Sequence, residues 1–270
     1  MNNNKLALII GWLYPDLMST YGDRGNIICL KKRCEWRGIN VEVREISLTT
    51  EDLTLNACDL LFMGGAQDKQ QKIVADDLHG NKGLKLKEMI DNNTPGLFIC
   101  GAYQFLGKYY KPAEGENIQG LGIFDLFTIH PGIGKERCIG NIIIKIQNSE
   151  FGTENFIVGF ENHGGRTYLG NKVESLGNVI KGYGNNGDLP ASLNGRQVQA
   201  GDGTEGYIYK NSIGTYLHGP ILPKNPYLAD WLIQKALLKK YGNKVELKKL
   251  DDALEWQAHD HILKKLKIQK

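Results

Sequence analysis

Three short apolar runs, KLALIIG, LLFMGG and LFIC, and one alternating run, VEVREIS, make up the strand candidates from the N-terminus to Cys100. The segments between them carry helical patterns, and this alternation limits the fold more than any other feature of the chain. RGNIICLKKRCEW places Ile27, Cys29, Leu30 and Cys34 at helical spacing before Gly38 closes it. KGLKLKEMIDNN reads as a charged amphipathic helix. Buried strands alternating with helices build a parallel sheet covered on both faces, because a strand that must run parallel to its neighbour needs a long crossover.

From about residue 120 the texture changes. IFDLFTIH, NIIIKIQ, FIVGFENHGG and GYIYKNSIGTYLHG are strand candidates separated by turn residues, suited to an antiparallel extension or to the far side of the same sheet. Two helical segments follow, NPYLADWLIQKALLKKYG and KLDDALEWQAHDHILKKLK. The linker between them is short. The expected organisation is a single domain over 1–270 with a C-terminal helical extension at about 244–270. Residues 182–203 are rich in Gly and Asn, lack periodicity and read as a long surface loop.

Composition removes several function classes. A net charge of +3 over 270 residues makes no field strong enough to argue nucleic-acid binding, and the basic KKLKIQK reads as a solvated helix end. No apolar run approaches the roughly 20 residues that span a bilayer. MNNNKLALII is too short and too poorly flanked for a signal peptide, so a cytoplasmic location is expected. The five cysteines are odd in number and include no CxxC pair, which indicates neither a disulfide framework nor a zinc site; no metal ligands are expected. Gly182, Gly184 and Gly187 match GxGxxG, but DLPASLNG offers no helix after them. GIGKE lacks the spacing and the Ser or Thr of an ATP-phosphate loop.

In an open parallel sheet, sites form beyond the carboxyl ends of the strands. Three loops fall there: WLYPDLMSTYGDRGN, GGAQDKQQ and the residues from Cys100. In LFICGAYQFLG a buried strand runs into a helix through small residues, which presents the turning residue at a sharp bend. There the helix N-terminus favours a thiolate. The other fate of Cys100 is that of an inert core cysteine. A nucleophilic cysteine needs a base, and His218 is best placed because IGTYLH is a strand pattern ended by Gly-Pro. His163, in ENHGG, is its rival. His79, His259 and His261 lie in charged sequence and read as solvated. For the tetrahedral intermediate, the Gly64-Gly65 turn and the amide of Gly101 are the natural donors, with Gly65 and Gly101 forming the oxyanion hole.

These residues resemble the class I glutamine amidotransferases of the cobyric-acid-synthase-like branch, through ICGAYQFLG, MGGAQD and the late-strand histidine. YPDLMSTYGDRGN, GGAQDKQQ, FENHGGRTYLG, YGNNG, DGTEG and GTYLHGPILPKNPYLAD together resemble the amidotransferase subunits of lipid II isoglutaminyl synthases. The resemblance implies an α/β, flavodoxin-like three-layer sandwich with a mainly parallel central sheet and an antiparallel extension. It also implies that Cys100 attacks the side-chain amide of L-glutamine while His218 protonates the departing ammonia. Arg137 would hold the α-carboxylate, a role that suits a planar guanidinium; otherwise it is a surface arginine at a turn. Gln104 would support the pocket, or cap local backbone.

Many class I amidotransferases carry His-x-Glu, whereas here Gly219 and Pro220 follow His218. An acid elsewhere in the chain or on a partner must then orient the imidazole, and a partner carboxylate is the favoured expectation. No cofactor is expected in this chain. Amidation needs an activated carboxylate, so ATP and Mg are expected on a Mur-ligase-like synthetase subunit, in a heterodimer that amidates the D-glutamate of lipid II. Two other readings use the same residues: a γ-glutamyl peptide cysteine hydrolase, and a non-catalytic binding subunit in which Cys100 is structural.

Overall fold

The computed structural model describes residues 5–146, 149–151, 156–171, 173–187, 201–242 and 245–268. Its first half runs β1 (Ala7–Leu13), α1 (Arg24–Trp36), β2 (Asn40–Ile46), β3 (Leu60–Met63), α2 (Asp68–Leu78), α3 (Asn81–Asp91), β4 (Gly96–Ile99) and α4 (Gly101–Leu106). Then follow β5 (Tyr109–Lys111), β6 (Ile118–Gln119), β7 (Leu126–Ile129), β8 (Cys138–Ile146), β9 (Phe156–His163), β10 (Arg166–Leu169) and β11 (Gly177–Lys181). The chain continues through β12 (Thr204–Glu205), β13 (Tyr207–Tyr209), β14 (Ser212–Thr215), α5 (Pro226–Tyr241) and α6 (Ala253–Lys265).

The central sheet has the order β13-β14-β4-β3-β1-β2. Five strands are parallel, and β13 is the antiparallel edge, paired to β14 in a hairpin. Every residue of β3 and β4 is buried, so both faces of these strands must be apolar, as LLFM and GLFI are. Each large aliphatic side chain so buried contributes about 1.5–3 kcal/mol relative to exposure. From β1 the chain crosses to β2 on one side, and β3 lies on the other. Right-handed crossovers therefore set α1 on the face opposite α2 and α3. The reversal opens a crevice above the carboxyl ends of β1 and β3.

The strands of the middle segment do not enlarge this sheet. They form two separate four-stranded sheets, β10-β7-β5-β6 and β12-β11-β8-β9. Of the expected strands, GYIYKNSIGTYLHG joins the central sheet as β13 and β14, whereas IFDLFTIH, NIIIKIQ and FIVGFENHGG are corrected to a second layer that meets the central sheet's carboxyl edge through an antiparallel bridge between Phe160 and His218. Helix α2 was not anticipated, since DKQQ reads as loop; its buried side is Gln71, Val74, Ala75 and Leu78.

The C-terminal helix is fastened to the body. The Arg33 guanidinium, with its side chain 1% exposed, donates to both oxygens of Asp230 on α5 and to both of Asp252 at the start of α6. Its neighbour Arg37 donates to Asp230 and to the Lys248 carbonyl. His259, expected to be solvated, is buried with Nδ1 beside the Lys224 carbonyl. Most of the 182–203 loop, residues 188–200, lies outside the described residues. No helix among the described residues is long and apolar enough to cross a membrane.

Candidate active site

Cys100 stands between the last residue of β4 and the first of α4 with φ 52° and ψ −104°, a conformation a residue with a side chain adopts only under constraint. Its N–H donates to the Thr215 carbonyl at 2.8 Å and its carbonyl accepts from Gln104 N–H at 2.9 Å, which pins the bend from both sides. Gly101 makes the bend possible by its lack of a side chain: a Cβ there would lie 2.9 Å from the Ala66 nitrogen and 3.0 Å from Gln71 Nε2. Ala102 has no such difficulty, because it sits within α4 and its φ is ordinary.

His218 follows β14 and is clamped by reciprocal backbone bonds with Phe160 on β9, at 2.7 and 3.2 Å. Its ring is fully buried. Nδ1 lies 3.0 Å from Asp23 Oδ1, which leaves Nε2 for the Cys100 sulfur. Burial alone would hold the imidazole's pKa down. The hydrogen bond to Asp23 and the contact with Cys100 outweigh burial and raise it, so the site favours imidazolium. Tyr21 covers the ring edge-on, with centroids 5.1 Å apart.

Asp23 supplies the orienting acid from within this chain, which corrects the expectation that a partner carboxylate does so. It stands at the N-cap position of α1, yet its side chain makes no capping bond. Its two oxygens go instead to His218 Nδ1 and to Gly65 N–H, the latter at 2.8 Å. Buried carboxylate and buried ring are therefore each satisfied by the other, as a charge in this environment requires.

The same bond corrects the expected oxyanion hole. Gly65 N–H is committed to Asp23 and is not available to a substrate. The next amide, that of Ala66, makes no hydrogen bond among the described residues and faces Gly101. Gly65 serves in another way, by lacking a side chain: a Cβ would stand 2.7 Å from Thr20 Oγ1, 3.0 Å from His218 Cε1 and 3.3 Å from Cys100 Cβ.

A cavity of about 390 Å³ opens on Cys100 and is lined further by Gln104, Tyr110, Arg137, Asn162 and His163. Arg137 is aimed by Asn162, with Nε on Oδ1 and Nη2 on the backbone carbonyl, both at 3.0 Å. Gln104 is a wall residue, donating to the Tyr216 hydroxyl at 3.0 Å and accepting from Gln71 Nε2 at 3.1 Å. The rival His163 is stacked on Tyr216 at 3.7 Å, with Nδ1 at 2.8 Å from the Gly165 carbonyl. Burial pushes its pKa down against the pull of Glu161. The histidine beside the sulfur is His218, whose Nε2 makes no hydrogen bond among the described residues.

A cysteine strained at a strand end and lining the cavity, an imidazole with a fixed carboxylate and amides at a helix start are groups that can supply a nucleophile, an acid–base and oxyanion donors. Residues 9–226 match the family model for the CobB/CobQ-like glutamine amidotransferase domain. The chain is 43% identical to the lipid II isoglutaminyl synthase (glutamine-hydrolyzing) subunit GatD of Staphylococcus aureus over 97% of this chain and 98% of that one. It is 41% identical to the subunit of the same name from Streptococcus pneumoniae, over 93% and 89%. Among solved structures, one titled as a glutamine amidotransferase superposes with a TM-score of 0.54 over 84% of this chain and 98% of its own, at 14% identity, a likeness of fold. The chain belongs to the CobB/CobQ-like glutamine amidotransferase family, in the branch that includes the GatD subunits.

Proposed function

We propose that this chain is the glutamine-hydrolysing subunit of a lipid II isoglutaminyl synthase. The observation that carries the reading is the buried Asp23–His218 pair set against Cys100, which lines a cavity of about 390 Å³. In this reading Cys100 attacks the side-chain amide carbon of L-glutamine. The negative charge that develops on oxygen faces the amides of Gly101 and Ala66. The imidazolium of His218 gives its proton to the amide nitrogen, ammonia leaves and a thioester remains. His218, now neutral, takes a proton from water, whose oxygen attacks the thioester; glutamate leaves and the thiol is restored. Asp23 holds the ring so that one nitrogen serves both steps.

Ammonia alone does not amidate a carboxylate. The partner in this reading is a Mur-ligase-like synthetase that binds ATP and Mg and phosphorylates the D-glutamate α-carboxyl of the lipid II stem peptide. Ammonia from this chain then displaces phosphate to give D-isoglutamine. The test is amidation of a stem-peptide substrate by the co-purified pair. Glutamine-dependent and ATP-dependent amidation is expected; with Cys100→Ala, ammonium salts still support the reaction and glutamine does not. Amidation from glutamine that survives Cys100→Ala contradicts the reading.

A further inference from the structure

The cavity wall carries a charge pattern that the bond-breaking chemistry does not use. Of its lining residues, Asp68 is the one carboxylate; the cations are Lys69 and Arg137. Arg137 has Nε and Nη2 fixed on Asn162, and Nη1 makes no hydrogen bond among the described residues. Asp68 is the first residue of α2, set there by the turn that follows Gly64-Gly65. Tyr110 lines the same cavity, a buried phenol held protonated by burial first and then by the Asp68 carboxylate. Asp68 and Arg137, of opposite charge, line the same cavity as Cys100.

An amino acid whose side chain reaches Cys100 brings an ammonium and a carboxylate into that cavity. An ammonium left without a counter-charge in a partly desolvated cavity is costly, and a carboxylate acceptor is its strongest partner. We infer that Asp68 binds the α-ammonium of the glutamine substrate while Arg137 takes its carboxylate, and so favours amides that carry a free α-amino group over those that lack one. This inference rests on the glutaminase reading and adds the substrate's second recognition point. Asp68 plays no part in proton transfer; it selects what is held.

The test compares two amides on the full chain with its synthetase partner: L-glutamine, and glutaramate, which keeps the carboxylate and the amide but lacks the α-amino group. Asp68→Asn keeps the shape and remains suited to a helix start. For L-glutamine the expected result is a fall in kcat/KM of about tenfold or more, expressed in KM, since a charge-assisted bond made alike in ground and transition states is lost. For glutaramate, kcat/KM is expected to stay within about threefold of the wild-type value, and Asp68→Glu to recover part of the glutamine activity. An equal loss on both amides overturns the inference, because Asp68 then shapes the cavity; so does no loss on either. A wild-type protein that cleaves neither amide overturns the glutaminase reading along with it, whereas normal wild-type cleavage with an unselective Asp68→Asn defect overturns the inference alone.

Discussion

Asp23 and His218 lie 195 positions apart in the chain, and the carboxylate of one meets Nδ1 of the other at 3.0 Å with both side chains withdrawn from solvent. The second oxygen of Asp23 takes the Gly65 amide, so the loops after β1 and β3 and the residue beyond β14 are joined at one carboxylate. That carboxylate fixes which ring nitrogen faces Cys100.

Replacing the carboxylate should release the imidazole. In the wild type the pKa of His218 is raised because Asp23 and Cys100 outweigh burial, which lowers it. A group whose folded pKa is raised contributes stability that is fully present below its unfolded value, about 6.5, and that is lost as pH rises through the folded value. Asp23→Asn is therefore expected to move the His218 ring titration, followed by NMR, downward. The same variant should flatten the loss of stability on the alkaline side of neutrality. A titration that does not move would mean that the pair does not hold the proton.

Gly65→Ala tests the crowding around the sulfur. The added methyl would meet His218 Cε1 and Cys100 Cβ, and a shift of a few tenths of an ångström misaligns the acid–base. kcat is expected to fall by about tenfold or more, with the fold intact by circular dichroism. Wild-type turnover in this variant would show that the ring has slack.

Arg33→Ala removes the shared cation between α1, α5 and the start of α6, leaving Asp230 and Asp252 facing one another without it. Breaking a buried pair from one side costs about 3–5 kcal/mol. Both carboxylates keep some solvent, and Arg37 still holds Asp230, which places the expected loss in urea unfolding near the lower end, about 3 kcal/mol. A loss within about 0.5 kcal/mol, the range of an ordinary surface change, would show that α6 is held by other contacts.

Glu205 should make the fold sensitive to pH. Burial raises its pKa to about 8, opposed by hydrogen bonds from Thr215 and the Tyr216 amide and reinforced by Glu161. The protonated form belongs to the folded state, so its contribution is full below the ordinary carboxylate range and declines as pH rises toward 8. Glu205→Gln cannot ionise. Measured by thermal unfolding, the stability of wild type relative to Glu205→Gln should decline between pH 5 and pH 8; a constant difference would show that Glu205 does not titrate there.

The central sheet was legible because β1, β3 and β4 are apolar runs and α1 declares itself from Arg24 to Trp36 by spacing alone. The positions of Cys100 and His218 were legible for the same reason, since each follows a strand pattern next to small or turn residues. Asp23 was not, although its loop was expected at the site: an aspartate just before an amphipathic helix has an ordinary use as a cap, and nothing in its neighbourhood points to a histidine so distant in sequence. Gly65 was expected to turn its amide to the oxyanion, but the direction of that amide is set by the fold and not by its residue type. The pairing of β5 to β12 into two small sheets escaped because period and composition mark a strand without naming its neighbour. Asp68 reads as loop until α2 exists to present it.

The most direct measurement is ammonia release from L-glutamine by the assembled protein with wild-type, Cys100→Ala and Asp23→Asn chains side by side. Cys100→Ala should release none above background. Asp23→Asn should lose about a hundredfold in kcat with KM little changed, the loss typical when a positioned acid–base is misdirected. Wild-type kcat in Asp23→Asn, or turnover that survives Cys100→Ala, would contradict amide cleavage by a nucleophile, an imidazole and a carboxylate all carried on this one chain.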